Sequence, residues 1–375
     1  MGMTLFNILA EVVVLDTSYI IESALRDLDR SEAARIFNEA DVFVLAKAAD
    51  YLTKRFFGDV VTFVNNVVVN YSNICVARCP ICAFYRPPGH PEGYVKKPEE
   101  AAALVEMFVR EYGVTELHIN GGFNPLLTPE YFDELFRAVK RRVPHVVIKG
   151  PTMAEAAYYA KLWKTSVREV LSRWKEAGLD AISGGGAEIF AEDVRKVITP
   201  YKISGEEWVR IAEIAHELGI PSNVTMLYGH VERVEHVVDH IFRVRELQEK
   251  TGGLLLFIPV KFNPYNTELY KRGLVKTVAP SIYDVKITAI ARLILLDRLK
   301  VAAYWLSVGK RLVSTLLLAG ANDLVGTMYN ETVLRSAGAT HSATIEELAA
   351  IVREVGKIPA LRDTFHRKTI ILNAS

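Results

Sequence analysis

The sequence predicts an α/β chain built as a TIM-type (β/α)8 barrel, with a helical extension before it and a closing helix and tail after it. Three observations carry this. From about Val60 onward, short runs of β-type residues alternate with longer amphipathic segments. Polar, glycine-rich sequence recurs just after those runs. No low-complexity tract or Pro/Ser/Gly-rich linker interrupts the alternation, so nothing suggests loosely tethered domains.

The elements follow in order. Residues 1–59 read as helices packed outside the barrel, chiefly "SEAARIFNEADVFVLAKAADYLTKRFF". Residues 60–375 are assigned to the barrel and its closing segment. The strand runs are "VTFVNNVVVN", "ELHIN", "HVVIKG", "DAIS", "SNVTML", "LLLFIPVKF", "VAAYW" and, last, "LLLAGAND". Between them lie helical patterns such as "PEYFDELFRAVKRR", "SVREVLSRWKEAG" and "GEEWVRIAEIAHELG". "EHVVDHIFRVRELQEK" keeps Val237, Val238, Ile241, Val244 and Leu247 on a 3.6-residue period. Gly178, Gly219 and Gly252-Gly253 read as helix stops, and Ser204 as an N-cap. One such barrel takes about 250 residues, so its strands and helices are expected to end near residue 335, leaving a closing helix and tail.

Composition narrows the function. In 375 residues, 45 Lys+Arg stand against 44 Asp+Glu, a formal charge of +1 with both signs interspersed. That pattern gives no sign of a polyanion-binding surface, so nucleic acid is not the expected partner. No run reaches about 18 apolar residues, so no transmembrane segment is read. The opening "MGMTLFNILAEVVVLD" lacks a basic leader and is broken by Glu11 and Asp16, which argues against a secretory signal.

Every cysteine falls within eight residues: Cys75, Cys79 and Cys82, spaced C-x3-C-x2-C directly after the first strand run. An odd, tightly spaced set is a poor disulfide framework, and a reducing cytoplasm is the expected compartment. A structural zinc would want a fourth ligand, with His90 the nearest candidate. Three incidental buried thiols are the plain alternative. A [4Fe-4S] cluster with three thiolate-held irons and one open iron accounts for the number three.

In a barrel of this kind chemistry sits at the C-terminal ends of the strands. "NYSNIC", "NGGFNP", "SGGGAE", "YGHVE", "KFNPYNTE" and "GANDL" are each expected on that rim. Rim candidates for holding a substrate are Lys261, Asn263, Asn266, Thr267, Trp305, Ser307, Asn322 and Asp323, with Arg362 if the tail folds back. Several have ordinary readings as well. Asn263 and Asn266 flank Pro264 in a turn, Trp305 suits a barrel core, Asp323 suits a helix cap, and Arg362-Asp363 a surface ion pair. His118 in "ELHIN" faces the interior by alternation, as a core histidine; His216 and His240 lie on helical faces.

The cysteine spacing resembles that of the radical S-adenosylmethionine (SAM) enzymes. The resemblance implies that SAM chelates the open iron, and that one electron splits its sulfonium to give a 5′-deoxyadenosyl radical. Ile81 stands where an aromatic often precedes the last cysteine. By the same resemblance Asn120, Gly121 and Gly122 would meet the amino group of SAM. Glu188 would bind its ribose or amino-acid end, unless it is only a first-turn acid. Met226, Tyr228, Gly229 and Glu232 would hold the adenine, Phe84 would join the cofactor site, and His230 would be a ligand or a turn histidine.

"FYRPPGHPEGYV", "AGLDAISGGGAEIF", "VRKVITPYKISGEEW", "TMLYGHVE", "RELQEKTGGLLLFIPVKFNPYNTEL" and "PALRDT" narrow the likeness to the futalosine-route enzymes of menaquinone biosynthesis, over about residues 35–365. The expected reaction is closure of dehypoxanthine futalosine between ribose C4′ and its benzoate ring. "CAFYR", "GGFNP", "GANDLVGTM" and "AGATH" favour it. The alternative adds the deoxyadenosyl radical to an enolpyruvyl benzoate, which "IKGPTMAE" and "AYWLSVG" favour; deazaflavin-forming enzymes are related. The expected partners are a small nucleoside or benzoate substrate and a reducing donor of flavodoxin or ferredoxin type. Glu188 and Asp323 are the candidate catalytic acids.

Overall fold

A computed structural model describes residues 15–339 and 343–373. Three helices come first, Thr17–Asp27, Arg30–Glu39 and Val42–Phe57. Each begins where an aspartate can accept first-turn amides: Asp16 from Tyr19, Asp29 from Glu32, and Asp41 from Phe43 and Val44. Gly58, at φ 67°, ends the third in a conformation that costs a side chain dearly.

The strands are β1 (Val60–Val64), β2 (Asn66–Asn70), β3 (Glu116–Asn120), β4 (Val147–Thr152), β5 (Ala181–Ser183), β6 (Ser222–Tyr228), β7 (Leu254–Lys261), β8 (Asp323–Gly326), β9 (Ile358–Arg362) and β10 (Thr369–Ile371). β2 to β7 lie side by side in parallel. Val301–Ala302 bridges β7 to β8, and Tyr329, just beyond β8, bridges to Val67 of β2, which completes the ring. Helices pack around it. The one over Val234–Thr251 buries Val237, Val238, Ile241, Val244 and Leu247, the five positions its period marks. Gly178 and Gly252 cap helices at positive φ, and Ser204 accepts the amide of Glu207 at 3.0 Å.

Four expectations are corrected. "VTFVNNVVVN" is two strands, because Asn65 leaves the ladder. Its Nδ2 donates to the Tyr112 carbonyl at 2.7 Å, and its Oδ1 accepts from Thr327 at 3.2 Å. "VAAYW" makes only the two bridges before helix Trp305–Val308 begins. "LLLAGAND" begins with the last two residues of helix Lys310–Leu317 and then turns, and the strand starts only at its final residue, Asp323. The closing segment is more than a helix and tail: after helix Ile345–Glu354, β9 pairs in parallel with β1, and β10 pairs antiparallel with β9. The sheet β10-β9-β1-β8 therefore closes the N-terminal end of the ring. Thr340 and His341, in "AGATH", and residues 1–14 lie outside the described residues.

Candidate active site

A cavity of about 320 Å³ opens at the C-terminal ends of the strands. Its wall takes Val68 from β2, His118 and Asn120 from β3, Thr152 from β4, Asn223, Thr225 and Leu227 from β6, Ile258 and Val260 from β7, and Val325 from β8. Strand alternation explains the set, since every second residue points inward.

Cys75, Cys79 and Cys82 share this wall with Ile81 and Phe84. Their loop is fixed from both sides. Cys75 N donates to the Arg86 carbonyl at 2.9 Å, Val76 N to Phe123 at 3.0 Å, and Leu269 N to Pro80 at 3.1 Å. Gly121 and Gly122 serve that same packing: a β-carbon on Gly122 would lie 2.2 Å from the Ile74 carbonyl oxygen, and one on Gly121 2.7 Å from the Tyr71 ring. Glycine is thus required for protein contacts here, before any ligand is considered. Burial pushes the Cys79 thiol up to about 12 and raises Cys82, whose sulfur also faces the amides of Phe84 and Tyr85. Thiols so placed ionise only against added positive charge, which Lys202 supplies in part and a metal centre would complete. Among the described residues no three His, Cys, Asp or Glu side chains converge tightly enough for a single ion. The three thiols line one cavity, and three thiolates with no fourth Cys suit a multi-iron cluster taking one thiolate per iron. His90 turns back to its own loop, accepting the Glu92 amide at 3.1 Å.

Glu188 and Lys202 form a half-buried pair at 2.9 Å in the same wall. Burial alone would raise the Glu188 carboxyl, and Lys202 more than offsets it; the Lys202 ammonium is held up by Glu188 and by the neighbouring thiols. Lys261 also lines the cavity and pairs at 2.6 Å with Asp284, which accepts the Tyr228 hydroxyl at 2.9 Å as well. Asn263 is beside it. Glu155, Tyr304 and Glu331 complete the polar lining. Glu155 accepts the Gly121 amide at 3.0 Å and the Tyr71 hydroxyl at 2.5 Å, holding the glycine turn in place.

Other expected site residues lie elsewhere. Met226 and Tyr228 point outward into the core, because β6 turns Thr225 and Leu227 inward. Gly229 and Glu232 form a turn behind the wall, where the Glu232 carboxylate accepts the amides of Gly229 at 2.6 Å and His230 at 2.8 Å. His230 is a turn residue, its Nε2 on the Leu227 carbonyl at 3.0 Å. Asn266 sits at φ 64° on the surface, Thr267 caps helix Glu268–Lys271, and Ser307 accepts the Lys261 amide at 3.2 Å. Trp305 is fully buried, with Nε1 donating to Gly326 at 2.9 Å.

Asn322 and Asp323 are at the opposite end of the barrel, because β8 begins at Asp323 and does not end there. Asn322 accepts from Arg292 at 2.7 Å. Asp323 and Arg362 form a buried ion pair at 2.7 Å, with Thr62 donating to Asp323 at 2.6 Å. This is structure under the barrel, away from the cavity. Lys202, Glu155, Tyr304 and Glu331 carried no sequence assignment. The T-x-x-E capping box of Thr152 and Glu155 was the available signal, for Glu155.

Comparison with known proteins agrees with this geometry. Residues 69–244 match the radical SAM superfamily, and residues 251–372 match the CofH/MqnC C-terminal region. The chain is similar to a 5-amino-6-(D-ribitylamino)uracil–L-tyrosine 4-hydroxyphenyl transferase of Methanopyrus kandleri, at 38% identity over 87% of this chain and 89% of that one. It is 38% identical to an aminodeoxyfutalosine synthase of Thermus thermophilus, over 89% of this chain and 90% of the relative. A cyclic dehypoxanthine futalosine synthase of Streptomyces coelicolor is 35% identical over 91% and 85%. In fold it resembles methylornithine synthase, with TM-score 0.71 at 16% identity over 92% of this chain and 97% of that one. These matches, with the C-x3-C-x2-C thiols gathered at the mouth of a parallel barrel, establish that the chain belongs to the radical SAM enzymes, in the group that includes the 4-hydroxyphenyl transferases and the futalosine-route synthases.

Proposed function

We propose that this enzyme cyclises dehypoxanthine futalosine: the ribose C4′ hydrogen passes to the 5′-deoxyadenosyl radical, C4′ bonds to the benzoate ring, and the ring radical regains aromaticity by giving a proton to solvent and an electron to a one-electron acceptor, for which the oxidised cluster would serve. Cys75, Cys79 and Cys82 would hold the [4Fe-4S] cluster, and Asn120, Gly121, Gly122, Phe84, Glu188 and Lys202 would surround SAM. Bound there, the two supply the 5′-deoxyadenosyl radical.

The observation that carries the choice of substrate is the charge of the cavity wall. Among the described lining residues the cationic side chains are Lys202 and Lys261, each already paired with a carboxylate. His118 is neutral there, its pKa lowered to about 4 first by burial and then by Lys149. Lys202, beside the thiols, suits the methionyl carboxylate. Lys261, whose ammonium uses one of its three N–H donors on Asp284, keeps two for the single carboxylate of a benzoate, whereas the enolpyruvyl benzoate brings two carboxylates. "FYRPPGHPEGYV", in the loop that pins the cysteines, supports the same reading. The chain's contribution is to place C4′ against the nascent radical and exclude water, which is catalysis by positioning.

A second reading, transfer of a 4-hydroxyphenyl group from tyrosine, is favoured by relatives at 33–38% identity that carry that name. One experiment separates the readings. Anaerobically reconstituted enzyme with SAM and dithionite is offered dehypoxanthine futalosine, the enolpyruvyl benzoate, or tyrosine with 5-amino-6-(D-ribitylamino)uracil, and products are read by mass spectrometry. A cyclised nucleoside with free 5′-deoxyadenosine is expected. An adenosylated product, or a hydroxyphenyl adduct of the uracil, refutes the cyclase.

A further inference from the structure

The cofactor-side residues of the cavity come from β2, β3 and the loops after β5, which leaves the wall after β7, Val301–Ala302 and β8 for the substrate. Lys261, Tyr304 and Glu331 stand in that order along it. From these residues we propose a subsite for vicinal hydroxyls: Tyr304 and Glu331 grip the sugar or polyol of the substrate. The inference rests on the cyclase reading only for which sugar this is.

Glu331 is 5% exposed, lines the cavity and forms no ion pair among the described residues. Its Oε1 accepts the amides of Val333 at 2.7 Å and Leu334 at 3.0 Å, Oε2 shares the Leu334 amide at 3.1 Å, and the Arg335 amide also faces the carboxylate. An acceptor-only group thus keeps free capacity at a buried wall. Tyr304 is 9% exposed and feels the Glu331 charge, and its hydroxyl makes no hydrogen bond among the described residues. A phenol can donate and accept.

Ligand chemistries divide clearly at such a pair. A carboxylate would be repelled by Glu331. An apolar ring would leave both groups buried without partners, at the full desolvation cost. An ammonium would match the carboxylate and leave the phenol proton without an acceptor. A diol fits both: one hydroxyl donates to Glu331 Oε2, and its neighbour accepts from Tyr304. Lys261, one strand position away, would at the same time hold a carboxylate on the same molecule, so the wall reads as acid-binding at one end and hydroxyl-binding at the other.

The test uses Glu331→Gln, which keeps Oε1 for the Val333 and Leu334 amides, together with Tyr304→Phe. Affinities are measured anaerobically by titration calorimetry on cluster-loaded protein. Dehypoxanthine futalosine or 5-amino-6-(D-ribitylamino)uracil, whichever the wild type turns over, is the ligand. Each substitution is expected to weaken it by about ten- to a hundredfold, the loss of a hydrogen bond to a charged or buried partner, with SAM affinity and melting temperature unchanged. If the wild type uses the ribitylaminouracil and the variants lose it, the subsite stands and the cyclase reading falls. If it cyclises the nucleoside and the variants bind it normally, the subsite falls and the cyclase stands. Loss confined to SAM or tyrosine, or turnover of the sugar-free enolpyruvyl benzoate alone, overturns the subsite.

Discussion

At the scale of single residues, the site is governed by buried charges whose partners sit within 3 Å. Lys202 is the clearest case, because among the described residues it is the cation at contact distance from Glu188. Lys202→Met strands a half-buried carboxylate and should cost about 2 kcal/mol of unfolding free energy, less than a fully buried pair would. Adding Glu188→Gln should return most of that, and denaturant titration of the four proteins in the cycle reads the coupling. Additive losses would mean that the pair is not interacting. Glu232 gives a pH signature. Burial raises its carboxyl, but the hydrogen bond and charge of His230 and the amides of Gly229 and His230 outweigh it, to about 2. A pKa lowered by folding stabilises above the unfolded value of about 4.3, and that stability is lost as pH falls toward 2. The wild type should therefore exceed Glu232→Gln by on the order of 2 kcal/mol at pH 6, with the gap closing between pH 4.5 and 2.5. A constant gap would contradict the assignment.

At the scale of elements, β6 shows how one position of register changes a functional reading. "SNVTMLY" carries polar and apolar residues on both faces, so its composition does not say which set points inward. The fold turns Asn223, Thr225 and Leu227 to the cavity and buries Val224, Met226 and Tyr228 against the helices. Met226→Ala should thus cost about 2–5 kcal/mol, as core truncations do, and leave SAM affinity unchanged. Leu227→Ala should weaken SAM or substrate binding with a smaller stability loss. Paired thermal melts and SAM titrations decide it, and the reverse pattern would restore the outward residues as adenine contacts. The glycine pair after β3 teaches the same lesson from the other side. Its position was legible, whereas the reason for glycine, the close approach of the cysteine loop, exists only once the two loops meet.

At the scale of the molecule, the barrel is closed beneath by late strands, β9 laid against β1 and β10 against β9. Arg362 on β9 meets Asp323 on β8, Thr364 donates to Glu116 at 2.8 Å, and Lys149 pairs with Glu116 at 2.6 Å, all buried. Arg362→Met should destabilise by about 3–5 kcal/mol, because Asp323 then stays charged and unpaired. The double substitution with Asp323→Asn should recover part of it. The SAM cleavage rate per folded molecule should remain that of the wild type. A selective loss of turnover in correctly folded protein would instead give Arg362 a place in the chemistry.

What the sequence determined by itself was local and periodic: the alternation that makes a barrel, the helix cap at Ser204 and stops at Gly178 and Gly252, and three thiols at a spacing that suits a cluster. These are encoded within a few residues of one another, so reading along the chain recovers them. Only the tertiary structure decided which end of β8 carries Asp323, which face of β6 meets the cavity, and that Lys202 and Glu331 stand in its wall. The physical reason is that a strand's direction, its register and the side on which it is buried are set by neighbours far away in sequence. A side chain's chemistry is fixed by its type, but its role depends on what those neighbours place beside it.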